Sequence, residues 1–417
     1  MDSNGYGVGI DIGTGSVKVV VGVWPKDTES SSIILPNIIG VGVQPSLGMR
    51  KGVIVDIDKV YRTLDKALGD AERMSGLTID HAMYSINGTK ITGMSSRGVV
   101  AVNGPGQKIS RDEVERAIKA AQIVKLAPNQ VILSTQPRTY KVDNQDGIRD
   151  PVDMTGVRLE VDAYVTTAIE PQIRNIDEVA QLSKVDRDNS CVPSGVAASD
   201  IALTDQQREN GAAVLDIGHS TTTLVIYDEG DIVDIKVIPI GSNNITCDLA
   251  VGLQTDFAIA EQVKIRHAVA APELRRGNET VLTVKAEQPD GHVHAFSFKP
   301  DLVDSIVAAR LLELFEQVNK ELKRAHYQAA LPGGIVLTGG GAKLRGITDL
   351  ARAALKINTH VFTPRNYQMV SKIAADPSFS AAIRLMERDL DAQIHDKQQQ
   401  SSRHGGLKRL LKLFHFE

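Results

Sequence analysis

The chain lacks the residues that would tie it to several function classes. It has two cysteines in 417 residues, Cys191 and Cys247. Two isolated thiols make neither a disulfide framework nor a Cys-rich zinc site, and they fit a reducing compartment. The histidines show no metal-ligand spacing. Net charge is −4, so no global basic field exists to hold nucleic acid, and attraction to an anionic surface must be local. No apolar run reaches the roughly 18 residues that span a bilayer. The opening Met1-Asp2-Ser3-Asn4-Gly5 has neither a basic nor an apolar stretch, so no signal peptide is expected. What remains is an ordinary globular composition, 42% hydrophobic and 24% charged. The length predicts two to four domains at roughly 150 residues each.

The first structured stretch is a Val- and Ile-rich strand from Tyr6, a turn Gly13-Thr14-Gly15-Ser16, and a second strand from Val17 to Val23. Ile38 to Val43 reads as a third strand, and Val60 to Met74 as a helix carrying Leu64, Ala67, Leu68 and Ala71 on one face. Residues 84–163 read as a separate α+β unit without a Gly-rich loop. It has short β-like runs at Gly98–Val102, Val131–Ser134 and Arg158–Thr166. One helix is announced by a capping box, Ser110 with Glu113. Ala212 to Tyr227 then repeats the opening: Asp216-Ile217-Gly218 stands where Asp11-Ile12-Gly13 stood, followed by His219-Ser220-Thr221 and another strand. Residues 301–326 form a long helix, and Gly334 to Gly341 a strand ending in three glycines.

Two strand–turn–strand units, each with an Asp at its strand end, suggest a split nucleotide site. Gly13 and Gly15 let backbone N–H groups approach phosphate oxygens, Thr14 and Ser16 add hydroxyls, and Lys18 adds a positive charge. Asp11 and Asp216 would face each other across the cleft and act through Mg²⁺ and its waters. Gly339, Gly340 and Gly341 would leave a flat backbone surface for a nucleoside. Either hairpin alone is more simply an unrelated Gly/Ser turn. All three pieces in this order and spacing favour the nucleotide.

The pattern resembles the phosphate-1, phosphate-2 and adenosine motifs of the actin/Hsp70/sugar-kinase superfamily, and within it is similar to the FtsA family. Further segments carry that likeness: Val41-Gly42-Val43 with Gly48 to Asp56, Ile238 to Thr246 (which contains Gly241 and Asn244), and Ala260 to His267. The resemblance covers about residues 6–385 and the tail. It implies an α/β, two-lobed actin-like ATPase fold with an inserted α+β subdomain 1C and a C-terminal amphipathic helix. The implied divisions are 5–83 with 164–203 (1A), 84–163 (1C), 204–250 with 331–392 (2A and a closing helix), 251–330 (2B), a linker at 393–406 and the helix at 407–417.

It also implies ATP with Mg²⁺ as cofactors, and phosphate-2 contacts from Gly218, His219, Ser220 and Thr221. Glu261 and Lys264 would meet ribose and adenine; without the resemblance they read as an i,i+3 surface ion pair. Gly241 and Asn244 would join the cofactor site. The implied partners are FtsZ, through Arg310 and Glu313 on one helix face, further copies in actin-like filaments, and downstream division proteins. Arg310 and Glu313 equally suit an ordinary solvated ion pair.

Two departures argue for slow or undetectable hydrolysis: His219 and Ser220 stand where many relatives have glycine, and no acid lies at Pro193-Ser194-Gly195. Any ATPase activity would be weak. In the tail, Leu407, Leu410, Leu411 and Phe414 fall on one helical stripe, with Lys408, Arg409 and Lys412 on the other side. Such a helix, about 16 Å long, would be unstable alone in water but could fold at an anionic membrane surface. The expected location is therefore the cytoplasmic face of the membrane at the division site. A terminal helix docked on its own core, or on a partner, is the competing reading of the tail. A PilM-like adaptor or a sugar kinase is the competing reading of the whole, and neither accounts for a basic amphipathic tail.

Overall fold

The computed structural model describes residues 5–25, 35–103, 105–187, 191–275, 280–287, 293–328, 330–364 and 367–393. The tail helix, with Leu407, Lys408, Arg409, Leu410, Leu411, Lys412 and Phe414, lies outside these residues, as does the linker beyond Gln393.

The first half runs β1 (Tyr6–Ile12), β2 (Ser16–Val23), β3 (Asn37–Pro45), β4 (Met49–Arg50), β5 (Val53–Ile54), α1 (Ile57–Ser75), β6 (His81–Ile86), β7 (Thr92–Ala101), α2 (Arg111–Ala121), β8 (Gln130–Val142), β9 (Gln145–Ile148), β10 (Arg158–Ile169), α3 (Glu170–Ser183), β11 (Asp186–Arg187), β12 (Val192–Pro193) and α4 (Ser194–Ala202). The second half runs α5 (Asp205–Glu209), β13 (Ala212–Ile217), β14 (Thr222–Asp228), β15 (Asp231–Ile238), α6 (Ser242–Gly252), α7 (Phe257–His267), β16 (Leu282–Glu287), β17 (Val293–Phe298), α8 (Pro300–Arg324), β18 (Ile335–Thr338), α9 (Ile347–Leu355) and β19 (Thr359–Val361). A last helix, α10, covers residues 380–393.

The repeat seen in sequence is a repeat in topology. β1, β2 and β3 form an antiparallel meander with β6 parallel to β1. β13, β14 and β15 form the same meander with β18 parallel to β13. Each meander is apolar on both faces because helices cover it on both sides, so its strands read as continuous Val/Ile runs rather than alternating ones. The first sheet lies between α1 and α10. Gly42 of β3 sits under α1, where a Cβ would fall 1.8 Å from the Ala67 carbonyl oxygen. Gly9 of β1 sits under α10, where a Cβ would fall 2.0 Å from the Ala382 carbonyl oxygen. Near the far end of α10 the buried Asp389 accepts a 2.7 Å hydrogen bond from the Val8 N–H.

Between the repeats, α2 packs on β7, β10, β8 and β9 around Ile109, Ala117, Leu159 and Val161. Ser110 and Glu113 form the expected capping box. The strands are longer than the sequence pattern suggests, because polar residues on an exposed sheet face break the apolar runs. The unit is also less separate than its composition implies. β7 meets β15 at Thr92 and Lys236, so its sheet extends the second one into nine strands. Arg138 donates to the carbonyls of Ile232 and Val233, and the Tyr164 hydroxyl accepts from the Ile235 N–H at 2.8 Å.

A pair of glycine substitutions tests this packing. Gly42→Ala should destabilise the protein by about 1–3 kcal/mol through overpacking against α1. Gly69→Ala, on α1 itself with no neighbour closer than 3.6 Å to the added methyl, should stabilise it by about 0.4–1 kcal/mol. Thermal unfolding of the two variants beside the parent reads both signs.

Candidate functional site

The two duplicated turns meet. In the first, the Gly13 N–H donates to the Ser16 carbonyl at 3.1 Å; in the second, the Gly218 N–H donates to the Thr221 carbonyl at 2.9 Å. Each turn ends a strand whose penultimate residue is an aspartate. Among the described residues of both turns none takes a positive φ, so the conformation itself does not demand glycine. His219 and Ser220 are therefore accommodated in the second turn without backbone strain. Gly15 is needed for contact instead: a Cβ there would lie 2.9 Å from the Cβ and 3.2 Å from the Nδ1 of His219.

Between the turns opens a cavity of about 600 Å³, a size that suits a nucleotide-scale ligand. It gathers Asp11, Gly13, Thr14, Gly15, Ser16, Lys18, Asp216, Gly218, His219, Thr221, Glu261, Lys264, Gly339, Gly340 and Gly341 of the residues expected from sequence. Ser220, Gly241 and Asn244 do not line it. Gly241 lies under the second turn, where a Cβ would clash with the His219 carbonyl at 2.6 Å and the Thr221 nitrogen at 2.7 Å. Asn244 accepts from the Gly241 N–H and caps α6. The first α6 amides, Ser242 and Asn243, are taken by the carbonyls of Gly218 and His219. This stretch braces the turn from behind.

The glycine triplet is also less uniform than a flat surface. Gly339, with φ 81°, and Gly341 are buried against Asp216 and Ile217, where added Cβ atoms would fall 2.4 Å from the Asp216 Oδ1 and 2.3 Å from the Ile217 Cγ2. Gly340 alone is open.

Electrostatics divide the cleft. Asp11 is buried, accepts from the Ser85 hydroxyl at 2.7 Å and lies 3.6 Å from the Lys18 ammonium. Asp216 has no such bonded partner, and burial, with Asp11 adding repulsion, pushes it up to about 7. Lys264 and Glu261 do form an ion pair, at 2.7 Å, but not a surface one. Lys264 is 5% exposed and donates further to Thr246 Oγ1 and the Ser242 carbonyl. Burial holds its ammonium below the usual range, against the pull of Glu261. Two helices, α4 and α10, begin in the cleft at Ser194 and at Ser380 and Ala381, turning their positive dipole ends inward.

Several residues in and behind the cleft wall escaped the sequence reading. Ser85 holds Asp11, and Asn87 accepts from the Ser194 hydroxyl and donates to the Ile12 carbonyl. The Gly52 N–H donates to Thr14 Oγ1 at 2.9 Å. Polar residues alternating at the end of β6, beside β1, were the available signal. Lys343 and Arg345 follow the glycine triplet and line its wall. The segment at Pro193-Ser194-Gly195 brings a serine into the cleft and no carboxylate. The acid of α4, Asp200, is at the far end and pairs with Arg384 and Arg388 of α10.

Arg310 and Glu313 share one face of α8 and bond to each other, as their spacing requires. Arg310 also grips Asp248 of α6 with two hydrogen bonds, at 2.6 and 3.0 Å. It is thus a tie between α6 and α8 as well as a surface cation.

The raised Asp216 has a signed consequence. Between about pH 4 and 7 the folded chain keeps a proton that the unfolded chain has lost, so this group weakens the fold as pH rises through that window. In nucleotide-free protein Asp216→Asn should melt a few degrees above the parent at pH 8. The gap should close near pH 4, as followed by calorimetry.

Comparison with known proteins accords with this layout. The family model described as "Cell division protein FtsA" matches residues 213–383, and that of the "SHS2 domain inserted in FTSA" matches residues 88–167. Cell division protein FtsA of Bacillus subtilis is 35% identical over 93% of this chain and 84% of its own length. That of Pseudomonas aeruginosa is 32% identical over 93% and 89%. Among solved structures, the PilM-PilN type IV pilus biogenesis complex superposes with TM-score 0.64 at 16% identity, covering 92% of this chain and 98% of the other. MreB5 of Spiroplasma citri bound to AMPPNP superposes with TM-score 0.54 at 14% identity, covering 97% and 100%. The fold is thus actin-like, and the chain belongs to the FtsA family of cell division proteins.

Proposed function

We propose that the chain is an ATP-binding division scaffold that links FtsZ filaments to the cytoplasmic face of the membrane at the Z ring. The observation that carries the nucleotide part is the meeting of the two turns at Gly15 and His219, with Asp11 and Asp216 at their bases. The MreB5 relative in fold is bound to AMPPNP, which supports the same use here. The residues present fit the group. Two helix N-termini and Lys18 suit the phosphates, and Asp11 and Asp216 would hold Mg²⁺. When bound, Mg²⁺ neutralises the charge between phosphates and carboxylates. Gly340 and the Lys264–Glu261 pair would form the nucleoside side of the cleft.

Slow turnover follows from the same side chains. Asp11 is held by Ser85 and Lys18, and Glu261 by Lys264 and Thr246. Ser194 occupies the place where an acid would orient water. The cleft therefore binds and orders more readily than it hydrolyses. That suits a polymer whose head-to-tail contacts stay open at both ends.

The tail supplies the membrane side. A single short helix with three cations binds weakly, at about 1 kcal/mol per Lys or Arg near an anionic surface. Several tails on one filament bind far better through effective concentration. Arg310 and Glu313 on α8 supply the FtsZ side, and recruitment of downstream division proteins would follow from the assembled filament.

One sedimentation series tests these parts. With ATP and anionic vesicles, the full chain and FtsZ should pellet together, and a chain ending at Gly406 should leave both in solution. Arg310→Ala should stay on the vesicles and release FtsZ. Asp248→Ala, which loosens the same α6–α8 tie, controls for local structure and should retain FtsZ. Vesicle binding by the shortened chain would refute the tail as anchor.

A further inference from the structure

His219 stands in the second turn at the position that Thr14 holds in the first, and its side chain does something the threonine cannot. The ring lines the cleft and abuts Gly15 of the opposite turn. Its own carbonyl is tied to the Asn243 N–H at 2.7 Å, so the residue is fixed from behind while the imidazole is presented forward. The first turn brings no titratable group against it. From α7 the facing charges are Lys264 and Glu261, and farther along the walls stand Asp11, Lys18 and Asp216.

In the empty cleft, burial and then the Lys264 ammonium hold the imidazole below its ordinary value, so it is neutral near pH 7. A polyphosphate lodged between the turns reverses the local sign. It brings several negative charges beside a ring that has a second nitrogen able to accept a proton and then donate a hydrogen bond. Resting on the reading of this cleft as a nucleotide site, we infer that His219 takes a proton from water when a polyphosphate enters, so that nucleotide binding is proton-coupled. A glycine in this place offers a backbone amide whose strength does not vary with pH. A histidine makes the grip of the second turn stronger as pH falls. The residue acts by touching the ligand.

The sign differs from that of Asp216, whose ionised form Mg²⁺ would favour as pH rises. Magnesium-free ATP, with EDTA, would favour protonated Asp216 as well, in the same direction as His219, so the histidine is isolated by comparison with a variant that keeps Asp216. Calorimetric titration of the parent and of His219→Gln from pH 8 to pH 6 removes the titration of ATP itself, which both proteins share. The parent should gain about 3- to 6-fold more affinity over that range than the variant, the figure that a tenfold rise in the proton affinity of the imidazole on binding gives between those pH values. In parallel, the His219 imidazole followed by NMR in the parent should titrate below about 6.5 without ligand and move upward on adding ATP or inorganic pyrophosphate. That spectrum decides the matter even if the variant does not fold. ATP binding with an unmoved imidazole and equal pH dependence in both proteins overturns the proton uptake and leaves the nucleotide site standing. No ATP binding by the parent overturns the nucleotide reading, and the inference with it.

Discussion

Two turns from the two halves of the chain can touch because one of them has no side chain at the point of contact. Gly15 lets the first turn lie against His219 of the second, and everything in the cleft is positioned by that approach. The aspartates at the two strand ends come to share one buried space: burial, with repulsion from Asp11 added, pushes Asp216 upward, while Asp11 is held by Ser85 and Lys18. The glycine triplet after β18 then packs on Asp216 and Ile217 and closes the third wall. The opening between these parts is the size of a nucleotide because the turns meet without filling it.

The same duplication explains the larger architecture. Each half is an antiparallel meander with one parallel strand beside its first member, covered by helices. α10 connects the cleft to the end of the described chain. It begins among Ser378, Ser380 and Ala381 at the cleft. It is tied midway by Arg384 and Arg388 to Asp200. It finishes where Asp389 holds Val8 and His81 and Gln393 donates to the Tyr6 carbonyl. Asp389 and Asp80 flank His81 and push it up to about 9, so that end of the helix is clasped by a charged imidazole across the neutral range. α10 thus runs from the cleft to the last of the described residues.

Much of this was legible in sequence because it is local. The Val/Ile runs of β1, β2, β13 and β14, the repeated Asp-Ile-Gly, the Ser110–Glu113 box and the long α8 are each written in neighbouring residues. What was not legible depends on distant packing. Asn244 and Gly241 lie in a segment that resembles a binding motif, yet they brace a turn from behind. Glu261 and Lys264 read as a solvated pair until the fold buries the lysine. Ser85 and Asn87 carry no motif; the parallel pairing of β6 with β1 brings Ser85 to Asp11, and its pairing with β12 brings Asn87 to Ser194. Arg310 reads as one half of a solvated pair with Glu313 until α6 places Asp248 beside it.

The central claim is that the two turns act as one phosphate-binding unit and that α10 feels its occupancy. Amide hydrogen exchange of the full chain, with and without Mg²⁺ and ATP, tests it most directly. The account predicts slower exchange at residues 13–16 and 218–221 together, extending into the start of α10. Protection of one turn without the other, or of both turns with α10 unchanged, would contradict it.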